Sequence, residues 1–496
     1  MTIAFPSIAL ELVSGEGGAD TTTLTATPAE SNDIILKKGS VIKTIELPSI
    51  GRISQAATAE EQRIGAAWLK QYRRQVSTSN DTVIIAYLEN LLNTLASHSD
   101  IYNASLSLVV AKNNSLNAFA VPGGVIGIHT GLLQYAKTEQ QLASVISHEL
   151  AHLSQRHYAR GVEKQKGQSL AVMAGLLAGL ILAASSDGDA GAAALSATQA
   201  YAIDQQLRFT RSFEREADRI GMGILASAGM SPHATAEMFE EMDKLTRFSS
   251  KPPEFLLTHP LTTNRQIDAI NLARQYPKKA MPDNIIYQLV RARAILETME
   301  SPQQAIRYFK DALSGFDTSA DGNRYGLVLA LTDNRQYNEA ADALEGLLEK
   351  FPNNVILQIS RSRILAGQNK LDDATNNIQE YIVQYPNYYP LPFQLSQVYR
   401  EHNRYDKAIE VLIRLSEERP EDPVIWYELA EVAGLASQLS LLNKARAEYF
   451  ILHANFDNAK QQLDALIERE KAGSTLQEYA KERLQELDTI RKRSKL

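Results

Sequence analysis

Apolar residues recur at helical spacing from Thr58 onward, where Ile64, Trp68, Leu69 and Tyr72 mark one face of a predicted helix that Glu60 and Glu61 help to start. A second predicted helix covers roughly Asp81 to Ala96. After Asp100 the period shortens to two. Leu106, Leu108 and Val110 alternate with polar or small neighbours and predict a strand, closed by the turn-like Lys112-Asn113-Asn114-Ser115. Asn117 to Val121 and Val125 to His129 predict two further strands, joined by the tight reversal Pro122-Gly123-Gly124. The helical period then returns. Thr138 and Gln141 make a capping box, in which each side chain can satisfy a backbone N–H of the other, and Leu142, Val145, Ile146, Leu150 and Leu153 supply the buried stripe of the helix that follows.

From about Asn284 the pattern is almost wholly helical and acquires a fixed period. Pro352, Pro386 and Pro420 are 34 residues apart, and so are Ala340, Ala374 and Ala408, which is the period of a tetratricopeptide repeat. The small residues let paired helices approach and each proline ends a unit; Ala305 and Ala459 mark divergent outer units. Stacked units of this kind form a concave surface suited to holding a partner or an unfolded chain. Tyr381, Tyr385, Tyr388 and Tyr389 cluster near one turn, as core residues or as groove lining.

Two stretches lack these patterns. Ser14 to Asp33 has no apolar period, so residues 1–57 are expected to be a flexible arm, and the first residues carry no recognisable export signal. Ser169 to Ala184 is uniformly apolar but, at 16 residues, falls short of the roughly 20 that span a bilayer. It reads as a helical hairpin over the site or in the core, or else as an element making peripheral membrane contact. At 496 residues the chain is too long for one core. The pattern divides it into the arm, a catalytic domain over 58–283 and a repeat domain over 284–496. A net charge of −7 with 22% charged residues gives no basic surface for nucleic acid. The absence of cysteine excludes disulfides, thiolate metal ligands and a cysteine nucleophile, so any metal must be held by histidine and carboxylate.

The capped helix carries the candidate chemistry, His148-Glu149-Leu150-Ala151-His152. At about 100° per residue the two imidazoles lie on one face and roughly 6 Å apart, within reach of one metal ion. In a zinc hydrolase of this pattern the glutamate beside the metal takes the proton of the attacking water. A third ligand is expected in Phe213-Glu214-Arg215-Glu216-Ala217-Asp218-Arg219, where Glu214 and Asp218 share a face and Glu216, rotated about 200°, looks elsewhere. Glu214 is therefore the expected ligand. Asp218 belongs to the catalytic set as the carboxylate that would accept the distal N–H of a ligand histidine and fix its tautomer. His157, rotated about 140° from His152, should leave the metal face, for the surface or for a place behind a ligand.

Taken together, NAFAVPGGVIGIHTGLL, HELAHLSQRH, FEREADRIG and LLTHPLTTNRQ resemble the gluzincin peptidases that include HtpX and the CaaX-processing enzymes, over roughly Thr58 to Gln275. The resemblance implies a mainly α (α+β) fold, with a metalloprotease domain containing a small β-sheet followed by an α-helical tetratricopeptide solenoid. It implies one zinc ion per chain on His148, His152 and Glu214, with Glu149 as general base. The strand before the Pro-Gly-Gly turn would be the edge that meets substrate. His259 would take a fourth zinc position in a latent resting state, and displaced His259, Arg215 and Arg219 are candidate oxyanion donors. It also implies a periplasmic protein whose partners are unfolded or misassembled outer-membrane proteins and the β-barrel assembly machinery, met through the repeats. A chaperone-like scaffold with a largely silent metal site is the alternative. A purely structural zinc site is disfavoured, because it has no need of Glu149.

Overall fold

Helix α1 (Ala59–Gln75) carries Glu60 and Glu61 in its first turn and Arg73 and Arg74 in its last, charges that suit the two ends of the helix dipole. Helix α2 (Thr82–Ser97) starts where the Asp81 side chain accepts the N–H groups of Val83 and Ile84. Between them lies a sheet of three strands, β1 (Ser107–Ala111), β2 (Ala118–Val121) and β3 (Val125–His129). The computed structural model describes residues 59–101, 106–164, 211–248, 253–278, 284–315 and 319–493. The expected arm over 1–57 and the apolar stretch from Ser169 to Ala184 lie outside these residues.

The strand order is β1-β3-β2, with β1 parallel and β2 antiparallel to β3. Each face is buried. Val109, Ala111, Phe119 and Val121 pack with Ile64, Trp68 and Tyr72 of α1, while Val110, Ala118, Ala120, Ile126 and Ile128 join the core that contains α2. The alternation therefore separates two apolar layers rather than core from solvent, which is why these strands read as nearly continuous apolar runs. The order leaves β2 at an edge.

A short helix α3 (Thr130–Tyr135) follows β3, then α4 (Glu139–Ser154), which carries the His-Glu-x-x-His pattern. Thr138 caps α4 by accepting the N–H of Gln141, and the Gln141 Oε1 accepts the N–H of Lys137, one residue before the cap. After α5 (His157–Lys164) come α6 (Arg211–Ser227), α7 (His233–Phe248), the single turn α8 (Glu254–Thr258) and α9 (Thr263–Ala273). Helix α6 lies against α4 at glycine distance: a Cβ on Gly221 would sit 3.1 Å from the backbone nitrogen of His148.

Helix α10 (Ile285–Glu297) opens a run of twelve helices among the described residues, ending with Thr475–Arg493. Within it the period is structural. Arg335, Asn369, Asn403 and Ser437, each 34 residues after the last, adopt left-handed φ values of 60°, 62°, 57° and 57° between paired helices. Ala340, Ala374 and Ala408 are fully buried, and Pro352, Pro386 and Pro420 directly follow the helix C-caps Phe351, Tyr385 and Arg419.

Helix α10 is fastened to the segment that leads into α4. Gln288 Nε2 donates to the Lys137 carbonyl at 3.0 Å, Arg291 Nη2 to that of Gln134 at 3.0 Å, and Asn284 Nδ2 to Glu139 Oε2 at 2.8 Å. The later repeats return to the first two helices, where Arg419 Nη2 meets Glu89 Oε1 at 2.7 Å and Arg74 Nη1 meets the Ala454 carbonyl at 3.4 Å.

Candidate metal centre

Four buried side chains converge from three places in the fold. His148 and His152 come from successive turns of α4, Glu214 from α6, and His259 from the C-cap of α8; one donor atom of each lies within 4.8 Å of the other three. His148 Nε2 is 3.0 Å from His152 Nε2, and the Glu214 oxygens are 3.5 Å from each of these nitrogens. His259 Nδ1 is 3.1 Å from Glu214 Oε1. With bonds of about 2.0–2.2 Å, the edges of a tetrahedron around a zinc ion are roughly 3.3–3.6 Å. The donor set and its spacing fit such an ion.

Each donor is held from behind. His148 Nδ1 lies 3.0 Å from Asp218 Oδ1. A carboxylate can only accept, so Nδ1 carries the proton and the Nε2 lone pair faces the cluster. His152 is fixed by a longer chain. Its Nδ1 is 2.9 Å from His157 Nδ1, and His157 Nε2 is 3.1 Å from Glu216 Oε2. If His157 donates from Nε2 to Glu216, its Nδ1 accepts from His152 Nδ1 and turns the unprotonated Nε2 of His152 toward the cluster. His157 is fully buried, so of its two expected places it takes the one behind a ligand. Its ring stacks on Phe213 at 4.5 Å.

Arg265 has no counterpart among the residues singled out by spacing. Its Nε and Nη2 donate to the two oxygens of Asp218, both at 2.7 Å, and Nη1 lies 2.8 Å from Glu214 Oε2 and donates to the Pro260 carbonyl at 2.9 Å. One guanidinium thus joins Glu214 and Asp218 of α6 to the loop that carries His259. The only available signal was that Arg265 falls three residues after Thr262, which caps α9, and so sits in a fixed first turn. Arg215, by contrast, is exposed and Arg219 is half-buried.

Glu149 is 1% exposed. Burial raises its pKa above the ordinary carboxylate value, against the opposing charges of His259 and His148, and the backbone N–H of Ala120 in β2 donates to it. Burial also works against the charge on Asp218, but the hydrogen bonds from Arg265 and His148 outweigh it and hold Asp218 below the usual range. His259 Nε2 is 3.5 Å from Glu149 Oε1, and its ring stacks on Phe255 with centroids 4.6 Å apart. Helix α8 is itself docked on the sheet: the Phe255 N–H donates to the Leu116 carbonyl, and Glu254 accepts from Ser115 Oγ at 3.0 Å and Asn117 Nδ2 at 3.1 Å.

Residues 85–271 match the model of peptidase family M48, and residues 325–388 and 365–432 match tetratricopeptide repeat models. The chain is 32% identical over 453 residues to a putative beta-barrel assembly-enhancing protease of Vibrio cholerae serotype O1, a match covering 90% of this chain and 93% of that one. It is 31% identical over 458 residues to the beta-barrel assembly-enhancing protease of Escherichia coli K12, covering 90% and 92%. A shorter match, 29% over 201 residues, links 40% of this chain to 35% of the mitochondrial metalloendopeptidase OMA1 of Arabidopsis thaliana.

Proposed function

This chain belongs to the beta-barrel assembly-enhancing proteases of peptidase family M48, and from that membership we propose that it is a zinc endopeptidase acting in the periplasm on misassembled outer-membrane β-barrel proteins. Its repeats recruit those substrates or the assembly machinery that handles them. The observation that carries this reading is the buried cluster of His148, His152, Glu214 and His259 beside Glu149.

His148, His152 and Glu214 would hold one zinc ion, with Asp218 fixing the tautomer of His148 and Arg265 fixing Asp218. Zinc supplies a Lewis acid that polarises the scissile carbonyl and makes water acidic enough to attack at neutral pH. Glu149 takes the proton of the attacking water and passes it to the leaving amine; burial, which strengthens its hold on a proton, suits that relay. The edge of β2 receives the substrate as an added strand, with main-chain hydrogen bonds that place little demand on sequence.

With His259 also bound, the four protein donors would fill a tetrahedral site and leave no position for water or substrate. His259 stands on a single-turn helix rather than on α4 or α6, so it is the donor that can leave. The expected outcome is that Glu149→Gln keeps its zinc and loses all cleavage of an unfolded barrel protein, while His259→Ala cleaves faster than the wild type. Cleavage by zinc-verified Glu149→Gln protein would remove the mechanism. Full rescue of barrel assembly by the same variant would shift the role to scaffolding.

Among the described residues no helix is long and apolar enough to cross a membrane.

A further inference from the structure

The sheet has a second edge, the outer side of β1, two strand spacings or roughly 10 Å from the edge beside Glu149. Because the Ser107 N–H donates to the Gly124 carbonyl, Ser107, Val109 and Ala111 turn their main-chain groups to β3, and Leu108 and Val110 turn theirs outward. The segment after α1 covers only one end of that row. Lys112 N–H donates to the Ser77 carbonyl at 2.8 Å and Ser79 N–H to the Val110 carbonyl at 2.9 Å. The N–H of Val110 and both main-chain groups of Leu108 have no hydrogen-bond partner among the described residues. An open cleft lies directly on them, with Ser107 to Val110 as its floor and Glu418 to Val424, the turn between two repeat helices, as its far wall. The ion pair of Arg419 with Glu89 anchors that turn to α2.

A bare strand edge is a template for another chain, and proteins usually pair it, bend it or charge it. This one is roofed without being paired, so what fits it is extended main chain. The side chains of an added strand would alternate between two unlike sides. On the side of Leu108, Ile85 and Leu106 pack with it against the core that contains α2. On the side of Ser107 and Val109, which α1 covers, stands Arg73, near the charges of Asp422 and Glu421. One side is apolar and the other polar. A segment that alternates apolar and polar residues satisfies both at once. That alternation is the pattern of a membrane β-barrel strand, apolar toward lipid and polar toward the lumen. A segment of one character throughout would set half its side chains against the wrong side.

We propose that the β1 edge is a holding site, separate from the cutting edge at β2, which takes one strand of an unassembled β-barrel substrate by strand addition between the peptidase and the repeats. The choice of occupant rests on the peptidase function proposed above. The test is hydrogen–deuterium exchange, read by mass spectrometry on the full Glu149→Gln chain, with a peptide alternating Val and Ser over about ten residues and with its block isomer. At saturation the alternating peptide should slow exchange at Leu108 and Val110 roughly 10-fold or more, and the block isomer should not. Leu108→Pro, which removes an outward N–H and sets a ring on the edge, should abolish the protection of Val110. Glu421→Trp narrows the cleft from an exposed position on its far wall, leaves the sheet untouched, and should do the same. With Glu149 in place, both changes should raise KM for a denatured barrel protein roughly 10-fold at unchanged kcat, and leave cleavage of a peptide too short to reach both edges unaltered. Unchanged exchange at Leu108 and Val110, equal protection by the two peptides, or protection that survives Glu421→Trp overturns the holding site, and the peptidase stands if Glu149-dependent cleavage persists. Protection by the alternating peptide without any Glu149-dependent cleavage overturns the peptidase and leaves the β1 edge as a binding site for the same chains.

Discussion

Without the His157 imidazole, the Nδ1–H of His152 would lose its acceptor in a place closed to water, and the ring could turn away from the cluster. Loss of such a supporting hydrogen bond typically weakens metal binding about 10- to 100-fold. His157→Ala, and Glu216→Gln as the gentler change that keeps the Phe213 stack, are both expected to raise the zinc Kd within that range while leaving the circular dichroism spectrum unchanged. Competition with a chelator measures it, and an unaltered Kd in both would mean that His152 needs no support. The dependence of one residue on another behind it also explains what could be read from the chain. His148 and His152 on α4, and Glu214 and Asp218 on α6, are four residues apart, so helix geometry alone brings each pair to one face. His259 entered only through a resemblance; Arg265 touches Glu214 directly and Glu216 reaches His152 through His157, both from positions that no periodicity connects to the cluster. Helical period reports which way a side chain faces, not what it meets there.

At the scale of elements, the 34-residue period was legible because each unit repeats the same backbone demands. The most visible is the left-handed turn at Arg335, Asn369, Asn403 and Ser437. Asparagine tolerates this conformation, but arginine and serine carry a Cβ penalty there. Ser437 is exposed, so Ser437→Gly should relieve strain without removing a contact and raise stability by roughly 0.5–1 kcal/mol, read as a higher urea midpoint. A lower midpoint would mean that this turn is not strained. Other elements were illegible for a physical reason. Helices α3 and α8 are six and five residues long, too short to display a period, and their positions follow from what they pack against. The strand order β1-β3-β2 was equally hidden, because alternation fixes the faces of a strand and says nothing about its neighbours.

At the scale of the molecule, the peptidase and the solenoid share one apolar core, which runs from α2 and α4 through Tyr287 and Leu289 of α10 into the repeats. Glu297 sits at this junction with Oε1 accepting from Ser79 Oγ at 2.8 Å and Oε2 buried without a partner among the described residues. Burial, with the nearby Asp81 charge, pushes its pKa up to about 7. An acid whose pKa is raised by folding lends stability that is complete at low pH and is lost as pH rises through its folded value. Glu297→Gln should therefore be more stable than the wild type by roughly 1 kcal/mol at pH 8, after discounting for its partial exposure, and no more stable at pH 5. Thermal melts at the two pH values check this, and a gain equal at both would exclude titration as its source.

The solenoid leaves the peptidase at α10 and meets it again through Arg419 on Glu89 and Ala454 on Arg74. A strap buckled at both ends has a fixed length. Inserting or deleting one 34-residue unit between Asn284 and Arg419 would carry the second fastening away from Glu89, whereas units added beyond Arg469 would disturb neither. In evolutionary terms the peptidase counts the repeats it encloses and leaves the remainder free to vary in number.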